Sequence, residues 1–227
     1  MNPHVLEVAR ALDGFVAAIF VLAGLGIIMA RQMRGTLYLF ILHSLMLTAS
    51  AVVLGVTLDS IHLGLVAVIT FFTKVLAVPL VLVWTTGSSA YQRREVEQVL
   101  SIPFSILIAA GLALVAWVVT NPLINAIPDH PFAAINLTTG MMAVFFGAFT
   151  VAVRREGVAQ LMGLFVMESG AFFASISIVN DLTIIAEIAA AVDVPIAALV
   201  IGLLIRNVHK LTGGTRVGSM AELRERH

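Results

Sequence analysis

Residues 61–84 read IHLGLVAVITFFTKVLAVPLVLVW, an apolar run in which Lys74 is the single charged side chain. About 20 apolar residues carry a helix across the hydrocarbon of a bilayer, so this stretch reads as a membrane span. Six further runs of the same kind flank it: Leu12–Ala30, Leu37–Leu58, Val99–Thr120, Phe132–Val153, Val158–Asn180 and Leu182–Ile205. The composition agrees, with 60% of the 227 residues apolar and 11% charged, and a mean hydropathy of +1.04. Soluble domains carry about 25% charged residues. The expected fold is therefore an all-α polytopic membrane protein with seven transmembrane helices. Seven spans leave no room for a soluble catalytic domain, a nucleotide-binding domain or a large extracellular module. A β-barrel is disfavoured, since its strands would alternate polar and apolar residues.

The basic residues set the expected orientation. Arg31 and Arg34 follow the first span, Arg93 and Arg94 the third, Arg154 and Arg155 the fifth, and Arg206, Lys210, Arg216, Arg224 and Arg226 the seventh. A chain that crosses seven times puts all of these on one side. The positive-inside rule makes that side the cytoplasm, with the N-terminus outside and the C-terminus inside, in a cell (inner) membrane. The first run lacks a strongly basic leader and is long for a signal peptide, so it reads as a retained helix. Residues 206–227 form a cytoplasmic tail, with Ser219 three residues before Glu222 as a capping-box pattern or a frayed end. The dispersed basic residues, without interleaved aromatics, do not point to nucleic acid. With no cysteine, the chain can supply no thiolate to an iron–sulfur or nickel–iron centre.

Two three-helix units are discernible in the single membrane domain, at 1–84 and 132–205, joined by the helix at 99–120. In each, an arginine pair with a nearby glycine precedes the second helix (Arg34-Gly35; Arg155-Glu156-Gly157), and a Val-Pro pair interrupts the third (Val78-Pro79; Val194-Pro195). The two copies would share one orientation, as a parallel repeat does. Chance likeness between hydrophobic helices is the alternative.

Charge inside the hydrocarbon is the main functional signal. Lys74, Glu168 and Asp193 lie within spans, and each costs several kcal/mol if it faces lipid. Counting ~1.5 Å per residue from the basic ends places all three roughly 15–18 Å deep. Groups in one layer can pass a proton if their helices touch. The three therefore read as a proton or charge relay, against the alternative of an ion network that only fixes packing. His43, two turns into the second span, is a further candidate, because the ordinary histidine pKa lies near neutrality. Glu187 in span seven is a further possible relay residue, with snorkelling to water as its plainer reading, and Asp13 in span one is read as snorkelling to water. Pro79 and Pro195 each remove an N–H close to one of the charges, which would leave polar kinks beside Lys74 and Asp193. Glycine spacing, methionines and phenylalanines are read as packing features. The Asn136-Leu137-Thr138 glycosylation pattern is discounted because it lies in a span.

Two segments suggest a family. Residues 71–80, FFTKVLAVPL, together with residues 163–170, GLFVMESG, resemble hydrogenase-4 component E, a membrane subunit of complex-I-like [NiFe] hydrogenases. The likeness extends over most of the seven spans and includes Asp193 ahead of the last basic cluster. From Arg154 onward the chain is also similar to the three-helix K subunit of complex I. There Phe165 occupies the first glutamate position, with Glu168 one turn later, and Val192 the second, with Asp193 adjacent. The resemblance implies a non-catalytic subunit of a respiratory hydrogenase or formate hydrogenlyase type complex, without an active site or cofactor of its own. It implies antiporter-like subunits, an H-type membrane subunit, and peripheral subunits carrying the Fe–S clusters and the Ni–Fe centre as partners. Glu168, Lys74 and Asp193 would couple redox chemistry to proton or Na+ movement. The rival readings are a structural spacer of the membrane arm and an independent transporter; a retinal-type pump would want a lysine inside the last helix, which has none.

Overall fold

The computed structural model describes residues 3–86, 100–126, 131–176, 178, 188, 191, 194–204 and 207. Every regular element among them is helical. The elements are α1 (Pro3–Met29), α2 (Met33–Thr57), α3 (Ile61–Thr70), the π-helix π1 (Phe71–Ala77), α4 (Val78–Thr86), α5 (Ile102–Ala126), α6 (Ala133–Val153) and α7 (Gly157–Ser175), followed by the shorter apolar helix α8 (Val194–Leu204). α3, π1 and α4 run on as one span. Among the described residues, six helices are long and apolar enough to cross a membrane, which makes the chain a polytopic helical membrane protein. Helices suit this setting because each satisfies its own backbone groups where water is absent.

Several boundaries differ from the sequence reading. α1 begins at Pro3 rather than Leu12, α5 runs from Ile102 to Ala126, and α7 ends at Ser175 rather than Asn180. Amphipathic ends explain the first shift: the turn with His4, Glu7 and Arg10 continues the helix although its polar residues lower the local hydropathy. Of the expected seventh span, Leu182–Ile205, the described residues are Ile188, Ala191 and Val194–Leu204; the rest of it lies outside them, as do the cytoplasmic tail apart from Asn207 and the loop with Arg93 and Arg94.

Two helical hairpins form the centre, α1–α2 and α6–α7, with α1 packed on α6 and α2 on α7. Each turns through three residues, Ala30–Gln32 and Arg154–Glu156. Both end on a helix-capping residue in extended conformation, Gln32 (φ −110°, ψ 135°) and Glu156 (φ −98°, ψ 131°). α3 and π1 pack against α2, while α5 lies against α6 and α1. α5 buries only Ser105, Ala109, Ala116 and Thr120. It leaves large apolar residues such as Leu107, Leu114 and Trp117 exposed, as a lipid-facing helix does.

The α6–α7 contact is made by glycines. A Cβ on Gly147 would lie 2.5 Å from the Gly163 carbonyl oxygen, and one on Gly170 would lie 2.6 Å from that of Gly140. These antiparallel helices therefore meet backbone to backbone, and the close approach fixes which face of α7 turns away from α6. That face carries Glu168.

Candidate functional site

The second half of the third span is not a plain α-helix. Through π1 the Val78 N–H reaches back five residues to the Thr73 carbonyl, and the Thr73 hydroxyl donates to the Ile69 carbonyl at 2.8 Å. Pro79, just beyond, has no N–H to offer. Instead of the simple kink expected from Pro79, the helix widens for two turns, which reorients the side chains on it; π segments of this kind recur at functional sites. Lys74 stands in the middle of π1 and is fully buried.

Its ammonium meets the carboxylate of Glu168 on α7, Nζ to Oε1 at 3.1 Å. The same Nζ lies 4.3 Å from the ring centroid of Phe172, which adds a cation–π attraction. Glu168 and Phe172 are one helical turn apart and so share a face of α7. Lys74 is enclosed while the Glu168 side chain keeps 26% of its surface exposed. The pair thus has an inner cationic end and an outer anionic end.

His43, on α2, is completely buried. Its Nδ1–H donates to the Phe20 carbonyl at 3.0 Å, which leaves Nε2 as the free lone pair; Nε2 has no hydrogen-bond partner among the described residues. The imidazole stacks on Phe20 at 3.7 Å, and Phe20 stacks on Phe173 at 4.3 Å. An aromatic series therefore runs from His43 to the residue beside Phe172. Phe40 and Phe165 touch across α2 and α7, 5.9 Å between centroids. Since α2 and α7 leave adjacent connections, they run parallel, and Ser44 and Ser169, four residues on, share one level. Both hydroxyls are buried with no hydrogen-bond partner among the described residues. Polar single residues of this kind carry no periodic signal, so sequence reasoning passed over them.

Of the predicted residues, then, Lys74 and Glu168 come together and His43 lies in the same layer. Asp193 and Glu187 lie outside the described residues. Asp13 requires a correction: it does not snorkel to water. With α1 starting at Pro3, Asp13 sits ~15 Å along the helix, 0% exposed, and accepts a hydrogen bond from the Ser50 hydroxyl at 2.5 Å. The Asn136 side chain lies against the same carboxyl and is itself fully buried, which also removes it as a glycosylation acceptor.

Arg154 was also missed as anything beyond an orienting charge. Its Nη2 donates to the carbonyls of Ile27, Ile28 and Ala30 at 2.9, 2.7 and 2.7 Å. It thereby caps the C-terminus of α1, where the helix dipole favours a cation, and ties the two hairpin connections together. Burial brings its guanidinium down to about 10, with Glu156 opposing the shift; it remains a cation at neutral pH. Among the described residues, no group of three or more His, Cys, Asp or Glu side chains could hold a metal ion.

No family model matches the chain, and no solved structure matches it. It is similar to a protein of Mycobacterium tuberculosis named "Uncharacterized protein Rv0085", 27% identical over 212 residues, which covers 93% of this chain and 95% of that protein. The likeness thus spans most of the chain rather than one motif.

Proposed function

We propose that the chain is a non-catalytic membrane subunit of a complex-I-like respiratory assembly of the [NiFe] hydrogenase or formate hydrogenlyase type. In this reading it crosses the membrane seven times, with the basic connections at the cytoplasmic face. The observation that carries the proposal is the Lys74–Glu168 ion pair, built from the two segments that resemble hydrogenase-4 component E and seated on a π-helix. A buried ion pair is weak evidence for stability, because desolvating two charges offsets much of their attraction. A pair kept at that cost in a membrane helix points to charge movement.

In mechanism, redox chemistry in a peripheral arm changes the charge or hydration at the exposed end of Glu168. The carboxylate then exchanges Lys74 for a proton, and the unpaired Lys74 charge is felt at His43 and at the neighbouring subunit. Asp193 would be a second station. Fe–S and Ni–Fe centres belong to partner subunits, and antiporter-like and H-type subunits receive the coupled charge. As a test, Glu168→Gln in the intact complex should preserve assembly and redox turnover while abolishing proton or Na+ movement. Pumping at the wild-type rate would overturn the relay. Loss of assembly on neutralising Lys74, Glu168 and Asp193 together would favour the spacer reading.

A further inference from the structure

The Asp13 cluster belongs to a different layer of the protein. Asp13 lies sixteen residues before the end of α1, ~25 Å from the Arg154 end, whereas Glu168 lies ~16 Å from it. Three helices converge there: α1 supplies Asp13, α2 Ser50 and α6 Asn136. All three are 0% exposed. The Ser50 hydroxyl satisfies Asp13 Oδ1, and the Asn136 side chain approaches the same carboxyl, but neither Oδ2 nor either amide atom of Asn136 completes a hydrogen bond of good geometry among the described residues. An ionised carboxylate left in that state costs several kcal/mol, and natural interiors rarely tolerate it without a counter-charge. Arg10, one turn earlier on α1, does not supply that charge, since its Nε donates to the Pro131 carbonyl at the exposed rim.

We propose that Asp13, Ser50 and Asn136 form an exchangeable site for a monovalent cation, Na+ or a proton, held between α1, α2 and α6. The donors are a carboxylate, a hydroxyl and a carboxamide oxygen, which suit a hard ion. One carboxylate balances one positive charge, whereas a divalent ion would leave net charge buried. Na+ would draw on Asp13 Oδ2, Ser50 Oγ and Asn136 Oδ1. A proton would sit on Oδ2 and be donated to the Asn136 carboxamide oxygen. The titratable groups on the surrounding elements are His4, Glu7 and Arg10 on α1, Arg34, Tyr38 and His43 on α2 and His62 on α3; α5 and α6 have none. The site does not depend on the hydrogenase reading, since it lies within this chain alone.

The test uses the purified full chain in lipid nanodiscs. Radioactive Na+ binding is measured directly, and the protonated-carboxyl band is followed by infrared difference spectroscopy through a pH jump in H2O and D2O. Saturable Na+ binding, lost in Asp13→Asn and weakened roughly tenfold in Ser50→Ala by the missing oxygen, identifies a Na+ site. A carboxyl band that titrates, exchanges with deuterium and vanishes in Asp13→Asn, without Na+ binding, identifies a proton site. The proposal is overturned if the wild-type chain shows neither signal. It is also overturned if Ser50→Ala, which keeps the carboxyl and the fold should Asp13→Asn not assemble, leaves the observed signal unchanged.

Discussion

The α1–α2 and α6–α7 hairpins turn through three residues each at the same end of the molecule, yet they are held by different means. The first is joined by polar contacts: Ser50 to Asp13, and His43 to the Phe20 carbonyl. The second is joined by glycines whose backbones touch. In lipid, apolar burial discriminates poorly between partners, because acyl chains are as apolar as leucine; close backbone approach and interhelical hydrogen bonds then supply the specificity. The glycine route brings the two backbones together without a polar side chain at the contact and makes a rigid platform for Glu168. The polar route places ionisable groups inside the bundle, where they can do chemistry.

Breaking the glycine contact should have the largest effect. Gly147→Leu drives a side chain into the Gly163 carbonyl and the Met167 amide, and should cost about 3 kcal/mol or more, read as a collapse of the folded fraction in a detergent melt. Gly24→Ala in the first hairpin is the control: its Cβ would meet His43 and Phe146 at 3.6–3.7 Å, an ordinary contact, and the melting temperature should scarcely move.

Cutting the tie between the hairpins should cost less. Arg154→Met removes the donor to three carbonyls at the end of α1, a loss of about 2 kcal/mol. The pH dependence has a definite sign. Burial lowers the guanidinium from its ordinary value to about 10, so the folded chain releases this proton before the unfolded chain does. The penalty for burying the charge is complete below about pH 10 and relieved as pH rises towards the ordinary guanidinium value. The difference between wild type and Arg154→Met should therefore be flat from about pH 6 to about pH 9, a profile that thermal melts across that range would check.

The smallest expected effect sharpens the comparison at its functional end. Lys74→Met and Glu168→Gln each leave the other charge without its partner, so the double variant should be more stable than the sum of the two losses. A double-mutant cycle should give a coupling of about 1 kcal/mol, reduced from a deeply buried pair by the exposure of Glu168. No coupling would mean that the pair is incidental to the packing of α7 against the third span.

Much of the fold was legible because a bilayer imposes a length and a polarity on every span. The six long helices follow directly from their apolar runs, and the cost of intramembrane charge singled out Lys74 and Glu168 before their contact was known. Asp13 was misread for a physical reason: hydropathy marks where apolar residues begin, whereas a helix continues through a polar turn, so α1 started nine residues earlier and the carboxyl lay correspondingly deeper. Ser44, Ser50, Asn136 and Ser169 were silent because an isolated small polar residue in a span can face lipid headgroups, its own backbone or another helix with the same sequence signature.

Composition and periodicity alone determined that the chain is helical, apolar and built to lie in a membrane, since those properties depend on each segment by itself. Which helices touch was decided only in three dimensions. Glycines far apart in the chain had to meet at Gly140–Gly170 and Gly147–Gly163 before α7 could turn Glu168 toward Lys74, and Arg154 had to reach Ile27, Ile28 and Ala30 before the two hairpins aligned. Such pairings depend on shape and hydrogen bonding between segments, and no single segment encodes its partner.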